Sequence, residues 1–142
     1  MIQIRRSAIV PHSPEQMFDL VNEVEAYPRR FSWCDDARVI ASDETTITAR
    51  LDLRLGALTQ GFTTRNTPER PLRIELALVE GPFSTLNGVW TFMRLGDEGC
   101  KIALSLDFDY SGLMAPVLRS GFQRLADRMV DEFCAEAVRV YV

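Results

Sequence analysis

Ile47-Thr48-Ala49-Arg50-Leu51-Asp52-Leu53-Arg54-Leu55 alternates without a break, with apolar residues at the odd positions and Thr48, Arg50, Asp52 and Arg54 between them. A period of two places alternate side chains on opposite faces of a strand, so this strand has one dry and one wet face. Strands of that kind belong to antiparallel sheets, whereas strands buried on both faces read as continuous apolar runs. The alternation returns in Ile74, Leu76 and Leu78. It returns again in Ile102, Leu104, Leu106, Phe108 and Tyr110, with Ala103, Ser105, Asp107 and Asp109 interleaved. Turn-forming residues separate the runs: Ser42-Asp43, Gly56, Pro68-Glu69-Arg70-Pro71, Gly81-Pro82 and Gly96-Asp97-Glu98-Gly99. With a first strand over Gln3 to Val10, the chain carries seven strands.

Helical signals stand at both ends of this series. Ser13 is a natural N-cap, Pro14 suits the first helical position, and Gln16 completes a capping box. Met17, Leu20, Val21 and Val24 form one apolar face. Pro28 is expected to stop this helix, because the residue before a proline is pushed from the α region. A short second turn or helix is expected over Tyr27 to Phe31. From about Leu113 the period becomes helical to the end, with Leu118, Phe122, Leu125, Met129, Phe133 and Ala137 as a stripe. Arg119, Arg124, Asp127, Asp131 and Glu132 occupy the other side, and Arg128 stands four residues before Glu132, positioned to pair with it. Such a helix spans on the order of 40 Å.

These elements define an α+β fold. A seven-stranded antiparallel sheet with one apolar face must curve around the long C-terminal helix to hide that face. A curved sheet and a straight helix leave a gap unless large side chains fill it. Phe62, Trp90, Phe92, Phe108, Leu118, Phe122, Leu125 and Met129 are the candidate lining of that gap. Gln60 and Thr64 share the parity of Phe62, and Tyr110 ends its strand; these are the polar residues expected to face inward.

The 142 residues and 46% hydrophobic content fit one domain spanning 1–142. A net charge of −4 gives no global reason to seek nucleic acid, and no DNA partner is expected. Arg29, Arg30 and Arg38 form a candidate local basic patch. Cys34, Cys100 and Cys134 are widely spaced and read as reduced thiols. The N-terminus alternates rather than forming an apolar block, so it reads as a strand and not a signal peptide. No apolar run approaches a membrane span. His12, the only histidine, lies in a Pro-His-Ser-Pro loop and reads as a surface residue. No metal-ligand cluster, nucleophile elbow or phosphate loop is present in the sequence.

Val24-Glu25-Ala26-Tyr27-Pro28-Arg29-Arg30-Phe31-Ser32-Trp33-Cys34 resembles the V-x-x-Y-P-x-F-x-P-W-C segment of the coenzyme Q-binding START-like proteins. Glu80-Gly81-Pro82-Phe83 through Gly88-Val89-Trp90-Thr91-Phe92 is similar to that family's E-G-P-F-x-x-L-x-G-x-W-x-F. Phe122 and Val130-Asp131-Glu132-Phe133 match its closing segment. Ser32 stands where the family usually has proline, and Arg30 adds a charge nearby. The family includes mitochondrial ubiquinone-binding proteins and the ribosome association toxin RatA, within a polyketide cyclase-like superfamily.

The resemblance implies a helix-grip (START-like) fold and an apolar tunnel able to hold ubiquinone or another polyprenyl lipid, with no cofactor required and no catalysis. Tyr27, Pro28 and Trp33 would shape its mouth; Phe83, Trp90 and Phe92 would lie on or beside its sheet wall. The leading expectation is a quinone carrier or chaperone supporting respiration. The alternatives are a RatA-like protein that binds the large ribosomal subunit, and a cyclase-like enzyme. An enzyme would need inward acid–base groups, and only Gln60, Thr64 and Tyr110 offer polarity. A cytoplasmic location is expected. Exposed Trp33 and Phe31 beside Arg29 and Arg30 would allow peripheral contact with the inner membrane.

Overall fold

The computed structural model describes residues 1–141. Strand β1 (Ile2–Val10) leads into helix α1 (Pro14–Asn22), a 3-10 turn (Val24–Ala26) and a short helix α2 (Tyr27–Arg30). Six strands follow: β2 (Cys34–Ser42), β3 (Ile47–Leu55), β4 (Leu58–Glu69), β5 (Arg73–Glu80), β6 (Phe83–Leu95) and β7 (Gly99–Tyr110). Helix α3 (Ala115–Val140) closes the fold. The strands form one antiparallel sheet in the order β1-β7-β6-β5-β4-β3-β2. This is the helix-grip arrangement that strand parity and the helical stripe predict.

Register follows the apolar parity. Ile4 pairs with Leu106, Trp90 with Leu104, and Leu51 with Phe62, so each pair adds to the same dry face. Bulges interrupt the ladders at Cys34/Asp36, Val39/Ala41, Thr63/Thr64 and Phe83/Thr85. A bulge bends its strand and increases local twist, which curves the sheet around α3. Gly121 marks a close approach of helix to sheet: a Cβ there would lie 3.2 Å from Cβ of Leu55.

Helix α1 starts as its capping box dictates. The Ser13 hydroxyl accepts from the Gln16 amide at 3.1 Å, and Gln16 Oε1 accepts from the Ser13 amide at 3.0 Å. Its end corrects the expectation about Pro28. The helix stops at Asn22, where Glu23 leaves helical geometry at ψ 68°. Pro28 instead sits in the first turn of α2, where a missing N–H costs nothing.

His12 is also corrected. It is 9% exposed, its Nε2 has no hydrogen-bond partner, and its ring lies 5.8 Å from that of Tyr141. The Tyr141 hydroxyl donates to the Gln16 carbonyl at 2.8 Å, which folds the end of the chain over this loop. Sequence distance hid that cover: Gln16 and Tyr141 are 125 positions apart.

Candidate ligand cavity

The concave face of the sheet does not close completely on α3. A cavity of about 80 Å³ remains between β3–β7, the end of α1 and the middle of α3. Its walls are mainly aliphatic, with Ala49, Leu51 and Leu53 from β3 and Ile74, Leu104 and Leu106 from neighbouring strands. Tyr27, Trp33, Phe62, Trp90, Phe122 and Met129 supply the aromatic and thioether part. Pockets for drug-sized ligands hold roughly 300–1,000 Å³. The cavity in this conformation therefore suits a small apolar group, and a larger molecule requires the walls to move.

Pro28, Phe83, Phe92, Phe108, Leu118 and Leu125 do not face the cavity. Phe83 and Phe108 pack on Phe122 with ring centroids 5.0 and 4.8 Å away, filling one end of the groove instead of bordering space. Phe92 meets Phe18 of α1 at 5.6 Å, so it docks that helix. Leu125 is buried against the core, whereas Leu118 is half-buried at its edge and Pro28 lies on the outside of α2. Sequence reasoning singled out aromatics and passed over the aliphatic wall. The alternation of Ile47–Leu55 carried that signal all along.

The segment over the cavity is tightly held. Phe31 stacks on Trp33 at 4.8 Å, and Tyr27 meets Trp33 at 5.9 Å and Phe133 at 5.4 Å. The Tyr27 hydroxyl donates to the Val21 carbonyl. Trp33 Nε1 donates to Glu132 Oε1 at 2.9 Å. Both Trp33 and Phe31 are buried, so they offer no exposed surface for a membrane. The Glu132 carboxylate is engaged by Trp33, and the expected Arg128–Glu132 ion pair is absent among the described residues.

The expected basic patch is also absent, because each cation has an acidic neighbour. Arg29 pairs with Glu23 at 3.2 Å, Arg30 with Glu136 at 3.1 Å, and Arg38 with Asp36 at 3.2 Å. Glu136 is buried on α3 between Arg139 and Arg30, whose guanidinium groups hold its carboxyl below the usual range.

The polar lining of the cavity is Asn22, Thr64 and Asn66 with the polar ends of Tyr27 and Trp33; Thr64 donates to Asn66 at 2.7 Å, and the Tyr27 hydroxyl and Trp33 Nε1 are already donating to Val21 and Glu132. Gln60 and Tyr110, expected to face a ligand, satisfy each other at 2.8 Å outside the lining. Burial pushes the Tyr110 hydroxyl far above its ordinary range and the Cys34 thiol up to about 12. Among the described residues no group of His, Cys, Asp and Glu could hold a metal ion, and no helix is long and apolar enough to cross a membrane. The arrangement can enclose an apolar group.

Residues 10–134 match the model of the polyketide cyclase / dehydrase and lipid transport family. The chain belongs to this family. It is 43% identical over 139 residues to the ribosome association toxin RatA of Pseudomonas aeruginosa, covering 97% of this chain and 96% of that protein. It is 23% identical over 145 residues to a mitochondrial coenzyme Q-binding protein, COQ10 homolog B of Xenopus laevis, covering 99% of this chain and 59% of that protein. Among solved structures, the ZhuI aromatase/cyclase of Streptomyces sp. R1128 superposes with a TM-score of 0.88 at 15% identity, covering 99% of this chain and 96% of that one. At that identity the likeness shows the fold alone.

Proposed function

We propose that this member of the family is a ribosome-associating protein of the RatA kind rather than an enzyme. The observation that carries this reading is the 43% identity to RatA of Pseudomonas aeruginosa over 97% of this chain and 96% of that protein. The cavity agrees with it. At about 80 Å³ it is too small, as closed, for a quinone head with a polyprenyl tail, so the quinone-carrier expectation takes second place. Purified protein is mixed with separated ribosomal subunits and run on sucrose gradients. Co-sedimentation with the large subunit and a loss of 70S particles are expected. Protein left at the top of the gradient, with 70S unchanged, would end this reading.

A second reading, that the cavity holds ubiquinone or another polyprenyl lipid, is favoured by the almost wholly apolar lining and the coenzyme Q-binding relative. It requires the Tyr27–Trp33 segment or α3 to shift and enlarge the space. Mass spectrometry of lipids extracted from the native protein tests it. An extract with no enriched lipid, together with no rise in melting temperature on adding quinone, would sink it.

A further inference from the structure

Away from the cavity, the turn between β3 and β4 meets α3 in a cleft of about 220 Å³. Arg54 stands on one side, Arg124 and Arg128 on the other, and Gly56 and Gly121 form the floor. The glycines keep the cleft open: Gly56 turns the hairpin at φ 65°, and Gly121 lets Leu55 come close without filling the space.

Two of the three cations of this cleft have no ion-pair partner among the described residues. Arg124 and Arg128 are exposed, four residues apart on one helix face, and neither makes an ion pair among the described residues. Like charges four residues apart repel on a helix, so the pair does not serve stability. Acidic residues nearby are committed elsewhere. Asp127 pairs with Arg6, and Glu132 accepts from Trp33. Asp131, three residues beyond Arg128, is exposed and pairs with neither arginine. Among the described residues, only Asp35 pairs with the cleft's cations, through Arg54. Three guanidinium groups with one carboxylate leave an excess of positive charge on a chain whose net charge is −4.

We propose that Arg54, Arg124 and Arg128 form a phosphate-binding cleft that grips the sugar–phosphate backbone of RNA. The inference rests on the ribosome reading for the choice of RNA, and on the cleft alone for the chemistry. Guanidinium groups present forked donors that match phosphate oxygens, and groups spaced along a helix can follow successive phosphates. Contacts to phosphate oxygens carry no sequence information, so this mode of binding is sequence-independent.

A short fluorescein-labelled RNA hairpin is titrated with wild-type protein and with an Arg124→Gln/Arg128→Gln variant at several salt concentrations, read by anisotropy. Wild-type protein binds, and the variant binds at least several-fold more weakly, with the salt slope lower by about 2. Both substitutions are exposed and remove a repulsion, so the variant keeps or slightly raises its melting temperature. An Arg65→Gln/Lys101→Gln variant, which changes net charge equally on the outer sheet face, binds RNA like wild type. Equal affinity and slope for wild type and the Arg124/Arg128 variant would overturn the inference. So would an absence of RNA binding, or binding to phosphatidylglycerol vesicles in its place. Ribosome sedimentation of the wild-type protein is scored separately. Its failure removes the ribosome reading, while the hairpin titration decides the cleft.

Discussion

Trp33 Nε1 and Glu132 Oε1 lie 2.9 Å apart, joining residues 99 positions distant in the chain. This one bond ties the segment over the cavity to the final helix and satisfies the indole N–H of the buried Trp33. Trp33→Phe retains most of the packing and loses the bond. The expected cost is about 1–2 kcal/mol, since a hydrogen bond to a charged group is lost but the half-buried carboxylate regains water. Urea unfolding checks this. Trp33→Ala should cost more, about 3–5 kcal/mol, because it also leaves a hole beside Tyr27 and Phe31.

Gln60 and Tyr110 form an isolated buried polar pair. Tyr110→Phe leaves the Gln60 amide unsatisfied and should destabilise by about 1–3 kcal/mol. Adding Gln60→Leu should recover most of that loss, because replacing both partners by apolar groups removes the desolvation penalty. A double-mutant cycle measured by urea unfolding tests the pair. Single-variant losses that simply add in the double variant would show that the pairing is energetically silent.

Phe122 is the hub of the aromatic end of the groove, touching Phe62, Phe83 and Phe108. Phe122→Ala joins its vacated volume to the existing cavity. Stability should fall by about 3–5 kcal/mol, and the enlarged space should take up benzene or a similar small apolar molecule. A rise in melting temperature on saturation with benzene, larger in the variant than in wild type, is the expected readout.

Acid should weaken the fold through carboxylates held low in the native state. Asp109 is lowered from 3.8 to about 2, first by the Tyr110 amide and then by Arg119 at 2.8 Å. Glu136 and Asp19 are lowered too, by Arg139 and Arg70. A lowered carboxyl stabilises the folded state fully above its unfolded pKa, and that stabilisation is lost as pH falls through the folded value. The Asp109 contribution therefore disappears between pH 3.8 and about 2. Denaturation midpoints followed against pH should drop in that window, and less steeply in Asp109→Asn.

Cys34 and Cys100 have thiols pushed up to about 12 and about 11 by burial. Both should resist iodoacetamide in the folded protein at mildly alkaline pH and react readily once unfolded in guanidinium. Mass spectrometry of alkylated peptides reads the difference. Rapid labelling of Cys34 in folded protein would mean that the segment over the cavity opens on that timescale.

Local chemistry by itself determined the elements. The Ile47–Leu55 alternation and its repeats define strands whose side chains can only alternate, and Ser13, Pro14 and Gln16 define the start of α1 by bonds within four residues of one another. These signals are legible because period and capping act over a few positions. The Tyr27-Pro28 to Trp33-Cys34 segment also carried the family resemblance, which the family match upholds.

Only the tertiary structure decided which side chains border empty space and which fill it. Phe83, Phe92 and Phe108 have the same apolar character as Phe62 and Trp90, and parity places all of them inward. The curvature set by the bulges and the position of α3 leave a gap beside some and none beside others. Charge followed the same rule. Arg29, Arg30 and Arg38 look free in sequence but meet Glu23, Glu136 and Asp36, whereas Arg128 looks paired with Glu132, whose carboxylate instead accepts from Trp33. Whether a group is satisfied depends on partners many residues away, and chain folding alone brings those partners within reach.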